Sequence, residues 1–189
     1  MSRVSFKPGT MIYPLPALMV SCGETPEEYN IATVAWTGTI CSDPPMCYIS
    51  LRKQRHGGYG HTSSIYIHPS QTEKLAKQTD WCGVKSGKTI NKFKEMKLTA
   101  VKAPNVAAPM IDESPLCIEC KVVEIKELGS HDMFIANVVG VHADEKYINK
   151  ESGLFDLQSA KLMTYSHGKY YSIGEQLGFF GFSVQKKKK

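Results

Sequence analysis

Three cations in four residues, Arg52, Lys53 and Arg55, close an apolar run, and Gly57, Gly58 and Gly60 follow. Guanidinium groups offer charge-assisted forks to a phosphate, and glycine-rich backbone can fold into an anion-binding nest. The same residues also suit an ordinary exposed basic loop. Upstream, Asn30-Ile31-Ala32-Thr33-Val34-Ala35-Trp36 alternates polar and small residues and ends on a large aromatic. Small side chains let a flat ligand approach the backbone, and Trp36 could stack on an aromatic ring or simply fill the core. Cys82-Gly83-Val84-Lys85-Ser86-Gly87-Lys88, continuing to Asn91-Lys92-Phe93, could wrap a polar ligand or form a surface loop. Tyr165-Ser166-His167-Gly168-Lys169-Tyr170-Tyr171 could cover a ring, face a partner subunit or plug the C-terminal end.

Other chemistries find no support. There is no Gly-x-Ser-x-Gly elbow, no His-Glu-x-x-His pattern, no obvious carboxylate pair, no Gly-x-Gly-x-x-Gly and no Walker sequence. The six histidines (His56, His61, His68, His131, His142, His167) lack metal-ligand spacing, so neither a metal site nor a catalytic residue is assigned. Cys117 and Cys120 have redox or zinc spacing, but they lie in a run that reads as strand. Residues three apart on a strand face opposite sides, so the sulfurs should diverge. No second Cys/His pair completes a cage. All six cysteines read as reduced thiols in a cytoplasm.

The elements that must position these segments are mostly strands. Candidates are Ala17–Ser21, Ile31–Thr39, Met46–Leu51, Ser64–His68, Leu116–Glu127 and His131–Ala143, bounded by Gly, Pro, Asp and Asn. Leu128-Gly129-Ser130 reads as the turn of a long antiparallel hairpin. A capping-box pattern, Ser70-Gln71-Thr72-Glu73, predicts a helix running to about Thr79. A shorter helical turn is expected around Asn91–Lys97. Roughly six strands with few helices point to a closed or nearly closed β-barrel, since closure removes sticky edges.

The chain has 189 residues, 42% hydrophobic and 22% charged, the profile of one globular domain able to build its own core. Collagen-like, disordered and polytopic membrane classes are excluded. Four of the 23 bases are the terminal Lys186–Lys189, which leaves 19 against 18 acids in the body. A near-neutral body does not suit nucleic acid, which needs a basic face on the fold. The tail reads as solvated, with a weak anionic-surface tether as the alternative. The apolar stretch Met11–Val20 is interrupted by Pro14 and Pro16 and is too short for a membrane span.

Taken in order, these segments resemble the flavin reductase-like, FMN-binding split-barrel family, and within it the flavoredoxin branch. The resemblance rests on Asn30-Ile31-Ala32-Thr33 with Trp36, on Ser42-Asp43-Pro44-Pro45, and on Ile49-Ser50-Leu51-Arg52. It continues through Cys82-Gly83-x-x-Ser86-Gly87, Lys92-Phe93, Ala108–Pro115 and Glu127–Phe134, and ends on Tyr165-x-His167-Gly168-x-Tyr170, Gly174 and Phe180-Gly181. The resemblance implies a mainly β split barrel with a few short peripheral helices, a single domain over 1–185 and a basic tail over 186–189. It implies non-covalent FMN, usually in a homodimer, with a redox protein or NAD(P)H as partner. Thr33, Val34, Ala35 and Trp36 would line the flavin ring; Ser50, Leu51, Arg52 and Lys53 would hold the phosphate end. Cys82, Gly83, Ser86 and Lys92 would close the site, with Tyr165 and His167 as late contributors. The expected activity is electron or hydride transfer, against a flavin-binding module without turnover or a nucleic-acid or membrane-surface binding protein using its lysine tail. The stretch 56–64 departs from the family pattern and leaves its phosphate contacts open.

Overall fold

The computed structural model describes residues 2–55, 62–69 and 71–184. Chain order gives β1 (Leu15–Pro16), β2 (Leu18–Cys22), β3 (Asn30–Val34), β4 (Thr37–Ser42), β5 (Pro45–Arg52) and β6 (Ser64–His68), then helices α1 (Ala76–Val84) and α2 (Lys92–Met96). The short β7 (Ala100–Val101) and β8 (Met110–Ile111) precede the long strands β9 (Leu116–Leu128) and β10 (His131–Ala143). Helix α3 (Leu157–Ala160) and the strands β11 (Met163–Ser166) and β12 (Lys169–Ser172) complete the set.

Seven strands form one sheet in the order β3-β2-β6-β9-β10-β5-β4. Its two edge strands, β3 and β4, are consecutive in the chain and separated only by Ala35 and Trp36. Two residues reach no more than about 11 Å from strand to strand, so the sheet must curl until its edges nearly meet. The Ser50 N–H donates to the Trp36 carbonyl at 2.8 Å, which carries the β4–β5 ladder on to the bend. The result is a split barrel. The expectation of one strand over Ile31–Thr39 and six in all is therefore corrected. The chain bends at Ala35–Trp36 to pass from one edge to the other, which makes seven.

Alternation then sorts the side chains. Leu18, Val20, Val34, Ile49, Leu51, Ile65, Ile67, Cys120 and Phe134 fill the barrel. Met19 and Ile31 point outward and are covered by Leu75, Cys82 and Phe93 from the helical side. Tyr66 and Cys117, also outward, are covered by Ala103, Val106 and Ala108. Cys117 and Cys120 thus lie on opposite faces of β9. The six cysteines are free thiols.

Helix α1 outruns the predicted stop near Thr79 and reaches Val84, closed by a bond from Lys85 N–H to the Trp81 carbonyl at 3.0 Å. Burial of Thr79 and Cys82 against β3 outweighs the helix-breaking tendency of Gly83. It is preceded by a 3-10 turn, Glu73–Leu75, whose flanking Thr72 makes no side-chain cap. Ser70, the proposed cap, lies outside the described residues. The second predicted helix is α2, with Asn91 capping Lys94 N–H at 3.0 Å. A smaller sheet, β1-β11-β12, packs beside the barrel. Among the described residues no helix is long and apolar enough to cross a membrane.

Candidate functional site

Strand β3 and the C-terminal end of α1 bound a cleft of two lobes. The first, about 300 Å³, is lined by Asn30–Thr33, Leu51, Gln54, the Cys82–Lys88 segment and Lys92. The second, about 290 Å³, is lined by Ala17, Thr33, Ala35, Asp80, Gly83, Val84, Tyr165, Gly168 and Tyr170. Thr33, Gly83 and Val84 belong to both, so the lobes adjoin.

The wall between helix and strand is fixed by buried polar bonds. Lys92 is 4% exposed, and its Nζ donates to the Ile31 carbonyl at 2.5 Å and the Cys82 carbonyl at 2.8 Å. One ammonium thereby ties β3 to the last turn of α1. The Thr33 hydroxyl donates to the Thr79 carbonyl and makes a second tie. Gly83 faces Thr33 so closely that a Cβ would come within 3.0 Å of the Thr33 Cβ. At Gly87 a Cβ would run into the carboxamide of Asn30, whose Oδ1 accepts from Ile31 N–H at 2.8 Å.

Charge divides the cleft. Among the described residues the first lobe is lined by Lys85, Lys88 and Lys92 and by no carboxylate. The second carries Asp80, which accepts from the Tyr170 hydroxyl at 3.2 Å; burial and the neighbouring carboxylate push the Tyr170 phenol up. Tyr165 and Tyr170 meet edge to face with centroids 5.4 Å apart. Burial pushes the Cys82 thiol up to about 11 against the opposing charge of Lys92, so it stays protonated at neutral pH. It lines the cleft without acting as a nucleophile.

Of the residues singled out in the sequence, the cleft brings together Thr33, Ala35, Leu51, Cys82, Gly83, Ser86, Lys92 and Tyr165. The others lie off its lining. Val34 points into the barrel, leaving only its backbone toward the outer surface. Trp36 stacks on His131 at 4.5 Å at the bend, and Ser50 meets the Trp36 backbone through its N–H. Arg52 is exposed at the end of β5, cross-strand from His131, whose pKa is lowered by burial and then by Arg52. Lys53 is engaged by Glu127 at 2.9 Å and Asp132 at 3.6 Å. The His167 ring packs on Tyr13 at 4.3 Å. His56, His61 and the glycine-rich stretch from 56 to 61 lie outside the described residues. Sequence reasoning assigned no role to Asn30, Gln54, Lys85, Lys88, Asp80 and Tyr170. The runs holding Asn30, Lys85, Lys88 and Tyr170 were recognisable, but which members face the cleft depends on how α1 meets β3. Among the described residues no group of His, Cys, Asp and Glu could hold a metal ion.

The model of the flavin reductase like domain matches residues 10–174, nearly the whole described chain. The chain belongs to the flavin reductase-like domain family. Its fold is similar to flavoredoxin of Desulfovibrio vulgaris (Miyazaki F), with a TM-score of 0.88 and 29% identity over 98% of this chain and 100% of that one. An FMN-binding protein from Thermus thermophilus shares the fold at a TM-score of 0.76 and 21% identity, covering 94% of this chain and 99% of its own. An uncharacterised protein of Archaeoglobus fulgidus is 26% identical over 89% of this chain and 93% of its own length.

Proposed function

We propose that this flavin reductase-like protein binds FMN across the two lobes and passes electrons through it, as a carrier or as a reductase fed by NAD(P)H. The observation that carries this is the division of the cleft. A lobe whose described charged residues are all lysines adjoins a lobe floored by Ala17, Ala35 and Gly83 and walled by tyrosines. FMN has the same division, a phosphate of nearly two negative charges and a flat ring system, so the donor set fits it. When bound, the flavin itself supplies the redox chemistry.

The chain's own residues bind and orient. Lys85 and Lys88 meet the phosphate end, with Arg52 at the rim where Gln54 enters the lining. Gly83 lets the last turn of α1 close onto Thr33, and Thr33, held by its bond to Thr79, presents a fixed surface. Tyr165 and Tyr170 exclude water from the ring's side. The protonated Cys82 keeps the association non-covalent. The functional unit is a homodimer, and six free thiols suit a reducing cytoplasm.

The test is titration of the flavin-free protein with FMN and with riboflavin, which lacks the phosphate. Lys88→Ala and Arg52→Ala should each weaken FMN by roughly ten- to a hundredfold, the loss of a charge-assisted bond, and leave riboflavin nearly unchanged. Equal weakening of both ligands would show that the cations are structural. A colourless protein that takes up neither flavin would defeat the reading.

A further inference from the structure

After β12 the chain leaves the body. The Ile173 N–H still donates to the Leu162 carbonyl at 3.1 Å, and the Gly174 carbonyl accepts from Gln158 Nε2 at 2.9 Å. Beyond Gly174 the arm bonds to itself: Phe182 N–H to Phe179 O at 3.0 Å and Val184 N–H to Gly181 O at 3.2 Å. The Phe179 and Phe182 rings meet edge to face at 6.3 Å. Phe182 also lies over Gly178, where a Cβ would come within 2.8 Å of the ring. The arm is thus a preformed aromatic hook.

Its composition is that of an interface. Residues 176–184 contain no charge and include Leu177, Phe179, Phe180, Phe182 and Val184. Leu177 is 95% exposed and Phe180 fully so, at 107%. A solvated tail would be polar, because apolar surface left in water costs free energy. The root of the same arm borders an apolar groove of about 470 Å³, walled by Pro14, Leu15, Pro16, Met163 and Ile173. The chain therefore carries both a plug and a socket, and the hook turns on itself instead of folding back into its own groove.

We infer that residues 175–184 form an exchange arm that seats in the groove between β1 and β11 of a second copy, reciprocally across a two-fold axis. Ten residues span at most about 35 Å, ample reach for two grooves facing each other. Side chains of this kind cover on the order of 500–700 Å² per arm. Two exchanged arms with the grooves they fill reach the roughly 1,200–2,000 Å² of a stable interface. A two-fold exchange also closes, whereas a one-way exchange would polymerise.

This inference rests on the homodimer reading and is independent of FMN. The experiment places p-benzoylphenylalanine at Phe180 of the full chain, mixes ¹⁵N- and ¹⁴N-labelled protein, and irradiates. Cross-links joining heavy to light peptides that contain Pro14–Pro16 or Met163–Gly174 are expected. Cross-links confined to one isotope, or to another region, would overturn the inference. In parallel, the dimer dissociation constant of the Leu177→Asp/Phe180→Asp chain should rise at least tenfold. A wild-type chain that is monomeric at micromolar concentration removes the dimer reading and the arm together. A dimer indifferent to the double substitution removes the arm alone, and flavin titration of either protein reports separately on the cofactor.

Discussion

His68 has no exposed surface and sits on the outer side of β6 in a chain of small polar groups. The Ser21 hydroxyl donates to the Pro109 carbonyl, so at 3.2 Å the His68 Nε2–H donates to Ser21 Oγ. That leaves Nδ1 as an acceptor for the Cys117 thiol at 3.3 Å. Tyr66 stacks on the imidazole with centroids 5.2 Å apart. Burial pushes the imidazole down to about 3 and the Cys117 thiol up to about 12, so both stay neutral. The pair is a structural tie and not an activated thiol. An unfolded histidine titrates near 6.5, so between that value and about 3 the unfolded chain binds a proton that the fold does not. Stability from this residue is therefore unaffected above pH 7 and lost progressively as the pH falls through 6.5 toward 3. In urea melts, the stability gap between wild type and His68→Gln should narrow by about 2 kcal/mol from pH 7 to pH 4.5. A gap independent of pH would mean that the imidazole is charged or solvated in the fold.

At the scale of elements, the site depends on the seam where α1 and the 85–88 loop meet β3. Gly87 is the tightest point, because the Asn30 carboxamide occupies the space of a side chain and is anchored on Ile31 N–H. Gly87→Ala must either push Asn30 off that bond or lift the loop carrying Lys85 and Lys88. Flavin affinity should fall about tenfold or more, with a loss of about 1–3 kcal/mol in thermal stability from the disrupted buried bond. Calorimetric melts and FMN titration of one preparation check both effects, and unchanged values would mean that the loop adapts freely. The same seam shows what could be read from the sequence. The strands β6 and β10 and the hairpin turn at Leu128–Ser130 follow from β-branched content and glycine, and they are local. The break at Ala35–Trp36 does not, because Thr37–Thr39 continues the strand pattern and only barrel closure forces the bend. Likewise Lys92 could be picked out beside Phe93. Its clamp on the Ile31 and Cys82 carbonyls could not, since it joins residues 61 and 10 positions apart. Lys53 looked like a phosphate ligand by spacing; the hairpin brings Glu127 and Asp132 beside it from 74 and 79 residues away, which no local pattern reveals.

Among the described residues, the outer face of β5 and β10 belongs to none of the buried clusters. The helices pack on β2 and β3, and the 102–110 segment packs near β6 and β9. Strands β5 and β10 turn Met46, Tyr48, Met133 and Ile135 outward, each half-buried, and the register sets Ile135 directly beside Tyr48 and Met133 beside Ser50. Gly38 on β4 lies under the Tyr48 ring, where a Cβ would come within 3.0 Å of it, so the ring lies down on the strand. An apolar patch of this kind suits the homodimer proposed above. Because a two-fold contact buries the same patch on both copies, an apolar face that meets its own copy is suited to it. Light scattering at micromolar concentration should therefore give twice the 21.0 kDa chain mass. Ile135→Asp, which places a carboxylate at the middle of the face while leaving the barrel interior intact, should raise the dissociation constant by two orders of magnitude or more, given an interfacial cost of about 3 kcal/mol for an unpaired charge. Far-UV circular dichroism should stay dominated by strand in that variant. If Arg52 and the cationic lobe need the second copy to cover the flavin, occupancy in Ile135→Asp will fall with dilution, whereas the wild type holds it. A monomeric Ile135→Asp chain that keeps FMN at every dilution would show instead that one barrel suffices for the site.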